Sequence, residues 1–390
     1  MPSIPTRPHR AAALSLALLL GAGHGGALRA QDIERGERVP FVTGKLGSFL
    51  VGGTVIDSPG TFDPIAFPAP PAGQSAHGDH AYVQYFIPPN ARAFPLVMWH
   101  GGGQYGKTWE TTPDGRKGYQ TIFAQRGFAT YVLDQPRRAR GGTADSAVIS
   151  PSFNDASLFN IFRLGTWDES GPHFFPGVSF PRDSISLDQY FRQTAPNTGA
   201  FDAEVFAEAV AELLRKIGPA VLVTHSQSGI YGWLAALKEP DLVKGIVSYE
   251  PTQFVLPEGE TPVEVETQVP FWLTFLNSLS PNVSEAEFRK LAAIPIQLVY
   301  GDNIPTESTQ IAGHELWYIT RFRSAQFVDA LNRLGGDAEI LYLPDAGLQG
   351  NTHFPFSDRN NVKVADLMRQ WLHEKGLDVR SRDHTAVARE

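Results

Sequence analysis

The residues best placed to do chemistry lie in Val221-Leu222-Val223-Thr224-His225-Ser226-Gln227-Ser228-Gly229-Ile230-Tyr231. A β-branched apolar run stops at a small polar turn, and a helix-compatible run from Ile230 to Leu237 follows. Strand, sharp turn and helix in that order hold a serine at the apex in a strained backbone conformation, its hydroxyl clear of the sheet edge. The helix start directs a partial positive charge at the same place. Ser226 occupies the apex and is read as a nucleophile. The usual pattern has glycine two residues before and two after it; here those positions are Thr224 and Ser228. Ser228 is small enough to fit, whereas the β-branched Thr224 crowds its position. The competing reading is a serine-rich turn that caps a helix or binds an anion.

A serine hydroxyl becomes a useful nucleophile when a base takes its proton and an acid orients that base. Of the chain's 11 histidines, His353 sits in Gln349-Gly350-Asn351-Thr352-His353-Phe354, directly after the last expected strand, where such a base belongs. His314 falls in the preceding connection, His373 in a closing helix and His384 in the tail. His225 is expected to face away from the turn. Two acids compete. Asp302 follows the strand Ile294 to Tyr300, and Glu250 ends the strand Lys244 to Tyr249 just before Pro251. Spacing alone slightly favours Asp302. The run His100-Gly101-Gly102-Gly103-Gln104 supplies a second landmark. Glycine lets backbone approach a ligand closely, so the N–H of Gly102 or Gly103, joined by that of Gln227, is expected to hold a developing oxyanion.

These groups need a scaffold, and the surrounding pattern describes one. Gly44 to Val55 and Ala81 to Ile87 alternate like early antiparallel strands. Phe94 to Trp99 and Ala129 to Leu133 are continuously apolar, as strands buried on both faces are. Helices are expected over Tyr119 to Gln125, Phe201 to Ile217, Arg323 to Leu334 and Asn361 to Lys375, and a last strand over Ala338 to Leu343. Strands alternating with helices predict an α/β fold, a mostly parallel central sheet flanked by helices, with the chemistry beyond the strands' carboxyl ends. Two stretches, about 144–197 and 252–293, lack period but are rich in aromatics. They are expected to be cap or lid insertions. The loop Arg137-Arg138-Ala139-Arg140 is either an anion-binding feature or a set of salt-bridged arginines.

Charged residues make up 19% of the 390 and apolar residues 42%, enough for a substantial core. A formal net charge of −8 argues against a nucleic-acid partner. There is no cysteine, hence no disulfide, thiolate metal site or cysteine nucleophile. Arg7 and Arg10 precede the short apolar run Ala11 to Leu20, which reads as a cleavable export signal over residues 1–30. The expectation is a secreted or periplasmic protein of residues 31–390 without stable membrane insertion.

The ensemble resembles the α/β-hydrolase superfamily and, more narrowly, a small group of bacterial serine esterases typified by esterase 713. The resemblance rests on His100-Gly101, the run Thr108-Trp109-Glu110-Thr111-Thr112-Pro113-Asp114-Gly115-Arg116 and the run from His225 to Tyr231. It continues through Glu250-Pro251, Gly301-Asp302, Gly350 to His353 and Asp358-Arg359-Asn360-Asn361. It implies that a hydroxyl residue is tolerated at Thr224 and that Glu250 is the acid, with Asp302 as the alternative. Gly102-Gly103 stand where the family prototype has two cysteines. The expected activity is ester hydrolysis through Ser226, His353 and Glu250 on a small-molecule or polymeric ester, with no cofactor and no metal. Amide, lactone or polyester hydrolysis on the same triad are alternatives, as is a non-catalytic binding protein of this fold. The resemblance also admits a homodimer.

Overall fold

Strands that are apolar at nearly every position end up in the middle of the sheet, where both faces are covered. The computed structural model describes residues 44–66, 68, 70–144 and 154–380; the expected export signal lies outside them. Eight strands form the main sheet: β1 (Lys45–Val51), β2 (Ala81–Ile87), β3 (Leu96–Trp99), β4 (Thr130–Asp134), β5 (Ala220–His225), β6 (Val243–Tyr249), β7 (Ile296–Tyr300) and β8 (Ala338–Tyr342). Their order is β1-β2-β4-β3-β5-β6-β7-β8. β2 runs antiparallel to both of its neighbours, and every other pairing is parallel. This is the expected mixed, mostly parallel sheet.

Side chains alternate across each strand, and so build two cores. Val97, Trp99, Leu222, Ile246 and Leu298 join the core that holds α4 (Ala203–Ile217), α5 (Ser228–Lys238) and α8 (Ala312–Arg333). Leu96, Met98, Val221, Val223, Val247 and Val299 join the other, with α1 (Tyr119–Gln125) and α9 (Asn361–Glu374). α4 begins where the Asp202 carboxylate accepts the N–H of Val205 and ends at Gly218, whose φ of 84° releases the chain toward β5.

The two aperiodic stretches are more regular than expected. The first contains α2 (Asp155–Ile161), a ribbon of 165–168 with 171–174, and α3 (Ser184–Phe191). The second contains α6 (Pro270–Ser278) and α7 (Glu285–Ala292), the latter started by a Ser284–Glu287 capping box. α8 begins eleven residues before the expected Arg323. Its first turns carry His314 and Glu315, which read as polar, yet both are buried and bonded. Glu315 accepts from Thr267, from the Ser308 hydroxyl at 2.6 Å and from the N–H of Thr309 at 2.6 Å. Tertiary partners rather than periodicity set that helix start. Among the described residues no helix is long and apolar enough to cross a membrane.

Candidate active site

The site is assembled at the carboxyl ends of β5 to β8. β5 ends at His225, and the N–H of Ser226 still reaches the carbonyl of Tyr249 on β6 at 2.8 Å. Ser226 then adopts a φ of 52°, a left-handed conformation that a serine takes only under tertiary constraint. α5 starts two residues later, which aims its N-terminal dipole at the turn.

Two compensations let Thr224 and Ser228 stand where glycines are usual. A Cβ on Gly232, one turn into α5, would lie 2.8 Å from the Cγ2 of Thr224; the glycine has moved from the strand to the helix facing it. The Thr224 hydroxyl meanwhile donates to Ser248 Oγ at 2.7 Å. The Ser228 hydroxyl accepts the N–H of His225 at 2.9 Å and donates to the Trp99 carbonyl at 2.9 Å. Both hydroxyls therefore brace the turn.

Glu250 follows β6 as Ser226 follows β5, and it too is left-handed, with a φ of 49°. Its carboxylate is fully buried and ringed by donors. Oε2 accepts from His353 Nδ1 at 2.6 Å and from Arg163 Nη1 at 2.8 Å. Oε1 accepts from Arg163 Nη2 and from the N–H of Gly301 at 2.6 Å. Burial alone would raise its pKa, but Arg163 and His353 outweigh that and bring it down to about 2. Glu250 is thus ionised, and the proton on the shared bond belongs to His353 Nδ1. Burial holds the pKa of His353 below the ordinary imidazole value, against the pull of Glu250. The neutral ring therefore carries its hydrogen on Nδ1 and a lone pair on Nε2, an atom with no partner among the described residues.

Asp302, the acid favoured by spacing, does not reach His353. Its Oδ1 accepts the N–H of Asn303 at 2.7 Å and its Oδ2 the N–H of Gly350 at 2.7 Å, so it shapes the loop instead. His314 Nε2 donates to the Gly165 carbonyl at 3.0 Å, and His373 is exposed beside Asp378. His225, expected to face away, does not. Its ring lies 4.4 Å from that of His353, and its Nε2 donates to the His353 carbonyl at 2.9 Å. Burial and the neighbouring His353 keep it neutral.

The glycine loop has its carbonyls tied back. Arg138 Nη1 donates to the carbonyls of Gly101 and Gln104, each at 3.2 Å, and the N–H of Ala195 donates to the carbonyl of Gly103 at 2.8 Å. His100 accepts the N–H of Gln135 on Nε2 and donates from Nδ1 to Gly101, with burial and Arg138 lowering its pKa to about 4. By contrast, the backbone N–H groups of Gly102, Gly103 and Gln227 donate to no acceptor among the described residues. Gly101 itself is a packing glycine: a Cβ there would sit 3.0 Å from that of Ser226. The arginine loop is structural throughout. Arg137 pairs with Asp79, Arg138 with Asn197 and Arg140 with Asp134. No group of three or more metal-ligating side chains occurs among the described residues.

The first aperiodic stretch adds residues that the sequence did not single out. Phe162 stacks on the His353 ring, with centroids 4.8 Å apart, and its carbonyl accepts the N–H of His353 at 3.0 Å. Arg163 is fully buried against Glu250. The signal was present in principle. An arginine between Phe159, Phe162 and Leu164 has to find a buried carboxylate if those aromatics go inside.

The sheet order, the turn at Ser226 and the acid–imidazole pair define a hydrolase class, and residues 96–367 match the model of the alpha/beta hydrolase family: the chain belongs to that family. It is 28% identical to the probable secreted lipase phiG of a fungal species over 323 residues, spanning 75% of this chain and 86% of the relative. It also superposes on the atomic-resolution structure of a novel bacterial esterase with a TM-score of 0.68 at 28% identity, covering 86% of this chain and 98% of the other.

Proposed function

We propose that this chain is a serine carboxylic-ester hydrolase that works through Ser226, His353 and Glu250. The observation that carries the reading is the Glu250–His353 bond: an ionised acid on Nδ1 leaves Nε2 as the bare basic atom, on a ring packed against the residue before Ser226. Ser226 Oγ attacks the ester carbonyl carbon while its proton passes to His353 Nε2. The resulting oxyanion is held by the N–H groups of Gln227 and of Gly102 or Gly103, whose loop carbonyls are already occupied elsewhere. Collapse breaks the carbon–oxygen bond to the alcohol, which leaves with the proton from Nε2, and an acyl-enzyme remains. Water then attacks the acyl carbon, gives a proton to Nε2, and the acid departs as that proton returns to Ser226 Oγ. Glu250 stays ionised throughout and stabilises the transient imidazolium.

The lipase and esterase names of the two relatives support an ester as substrate, and the fungal relative's description as secreted supports export by residues 1–30. The test is Ser226→Ala on p-nitrophenyl esters of several chain lengths, with a fluorophosphonate to label the wild-type serine. A loss of about 10⁴-fold or more in kcat is expected, with labelling abolished. Undiminished turnover rejects the proposal. N-terminal sequencing of exported protein that found Met1 intact would reject the cleaved leader.

A further inference from the structure

Arg163 stands in an unusual position for an arginine. It closes the end of α2 with a φ of 57°, its side chain has no exposure, and it is spent wholly on the site. Nη1 and Nη2 grip both oxygens of Glu250, and Nε donates to the carbonyl of Asp302 at 3.0 Å. The guanidinium lies 4.7 Å over the Trp317 ring, and the same ring lies 4.4 Å from that of His353. A planar fork matched to a planar carboxylate fixes the plane of that carboxylate, which a lysine's point charge does not do.

We propose that Arg163, resting on the Ser226–His353–Glu250 reading, is the positioning residue of the acid–base pair: it sets the plane of the Glu250 carboxylate and offsets the charge that carboxylate presents to His353. An unshielded carboxylate on Nδ1 raises an imidazole's affinity for protons. Here a full positive charge sits on the far side of that carboxylate and acts in the opposite sense on His353. The other ionisable groups facing Arg163 and the pair include His225, held neutral by burial, His314, whose Nε2 donates to the Gly165 carbonyl, Tyr300, whose hydroxyl donates to Pro251, and Asp358 beneath the His353 loop. Asp358 is common to the wild type and every Arg163 variant, so a difference between them reports Arg163.

The experiment is the pH profile of kcat/KM, per site titrated with fluorophosphonate, for the wild type, Arg163→Met and Arg163→Lys. The acidic limb of the wild type should lie below that of a free imidazole. In Arg163→Met it should move up by about one pH unit or more. In Arg163→Lys the limb should stay near the wild type's while kcat per labelled site falls about tenfold or more, because charge is kept and the bidentate grip is lost. An unmoved limb in Arg163→Met overturns the proposal. So does a Lys variant with wild-type kcat per labelled site, which decides the matter alone if the Met variant does not fold. Failure of the underlying triad is a separate outcome, since it shows as turnover in Ser226→Ala or no labelling of wild-type Ser226.

Discussion

Phe162 lies flat on His353, with the two ring planes 14° apart, and the same residue's carbonyl holds the His353 N–H. A residue of the first aperiodic stretch therefore holds both the backbone and the ring of His353. The other end of the stretch reaches the glycine loop, where Gln193 Nε2 donates to Gln104 Oε1 at 2.8 Å and Ala195 binds Gly103. The stretch touches His353, Glu250 and the glycine loop through these residues and Arg163.

Phe162→Ala should remove the stack but keep the backbone bond. A buried phenylalanine cut to alanine costs about 3–5 kcal/mol of stability, and freeing the ring should lower kcat by about tenfold or more, since small misplacements of a base are costly. Phe162→Leu should recover most of the stability and less of the activity. Denaturant unfolding together with kcat per titrated site checks this. Stability loss with unchanged kcat in both variants would reduce Phe162 to a packing residue.

The exchange between Thr224 and Gly232 predicts a change of sign. In a helix interior alanine is favoured over glycine by about 0.5–1 kcal/mol. Gly232→Ala should nonetheless destabilise by about 1–3 kcal/mol, because the added methyl meets Thr224 Cγ2 at 2.8 Å inside a filled core. Thr224→Ser removes that methyl and keeps the hydroxyl that bonds Ser248. Within the Thr224→Ser background, Gly232→Ala should then be neutral or stabilising. A double-mutant cycle measured by thermal unfolding checks it, and additive effects would contradict it.

How much of this was legible follows from the same residues. β3, β4 and β5 could be placed because each holds a continuous apolar run, Leu96 to Trp99, Tyr131 to Leu133 and Ala220 to Val223, and a strand covered on both faces leaves that trace without tertiary knowledge. Ser226 and His353 could be put forward as candidates because each lies between a recognisable strand end and a small-residue loop. The acid could not be decided by spacing, which leaned to Asp302. What favours Glu250 is three-dimensional: a left-handed turn at 250 and the missing Cβ of Gly301, where a methyl would lie 2.9 Å from Glu250 Oε1. Arg163 and Phe162 sat in a stretch without period, whose folding depends on α8 and the His353 loop. The early turns of α8 were hidden for the same reason, since Glu315 takes its partners from residues 267, 308 and 309.

The acid assignment can be tested directly. Glu250→Gln keeps the shape but offers Nδ1 a weaker, ambiguous partner and leaves Arg163 buried beside an uncharged group. kcat should fall by about 10³–10⁴-fold. Asp302→Asn disturbs only the N–H bonds of Asn303 and Gly350, and should cost about tenfold or less through loop geometry. The comparison is made on enzyme of verified fold by circular dichroism. A collapse confined to Asp302→Asn would transfer the role of acid to Asp302.

Asp358 predicts a pH dependence of stability. Its carboxylate is buried beneath the His353 loop, where it accepts the N–H of Thr352 at 2.7 Å, the Thr352 hydroxyl at 3.0 Å and Asn351 Nδ2 at 3.0 Å. Burial, helped by the charge on Glu250, outweighs those bonds and raises its pKa from 3.8 to about 7. Between these two values the folded chain keeps a proton that the unfolded chain has lost, so this group's contribution to stability falls as pH rises from about 4 to 7 and is level above that. The whole window is worth a few kcal/mol, roughly 1.4 per pKa unit. Glu250 acts in the opposite sense and at lower pH: its pKa is depressed to about 2, so its contribution is present above 4.5 and is lost as pH falls below that. Asp358→Asn keeps the shape and cannot ionise. The wild type minus Asp358→Asn difference in melting temperature should therefore shrink or turn negative from pH 4.5 to 7 and then stay constant. A difference that is flat across that window would mean that Asp358 is ionised throughout it, with its three donors outweighing its burial.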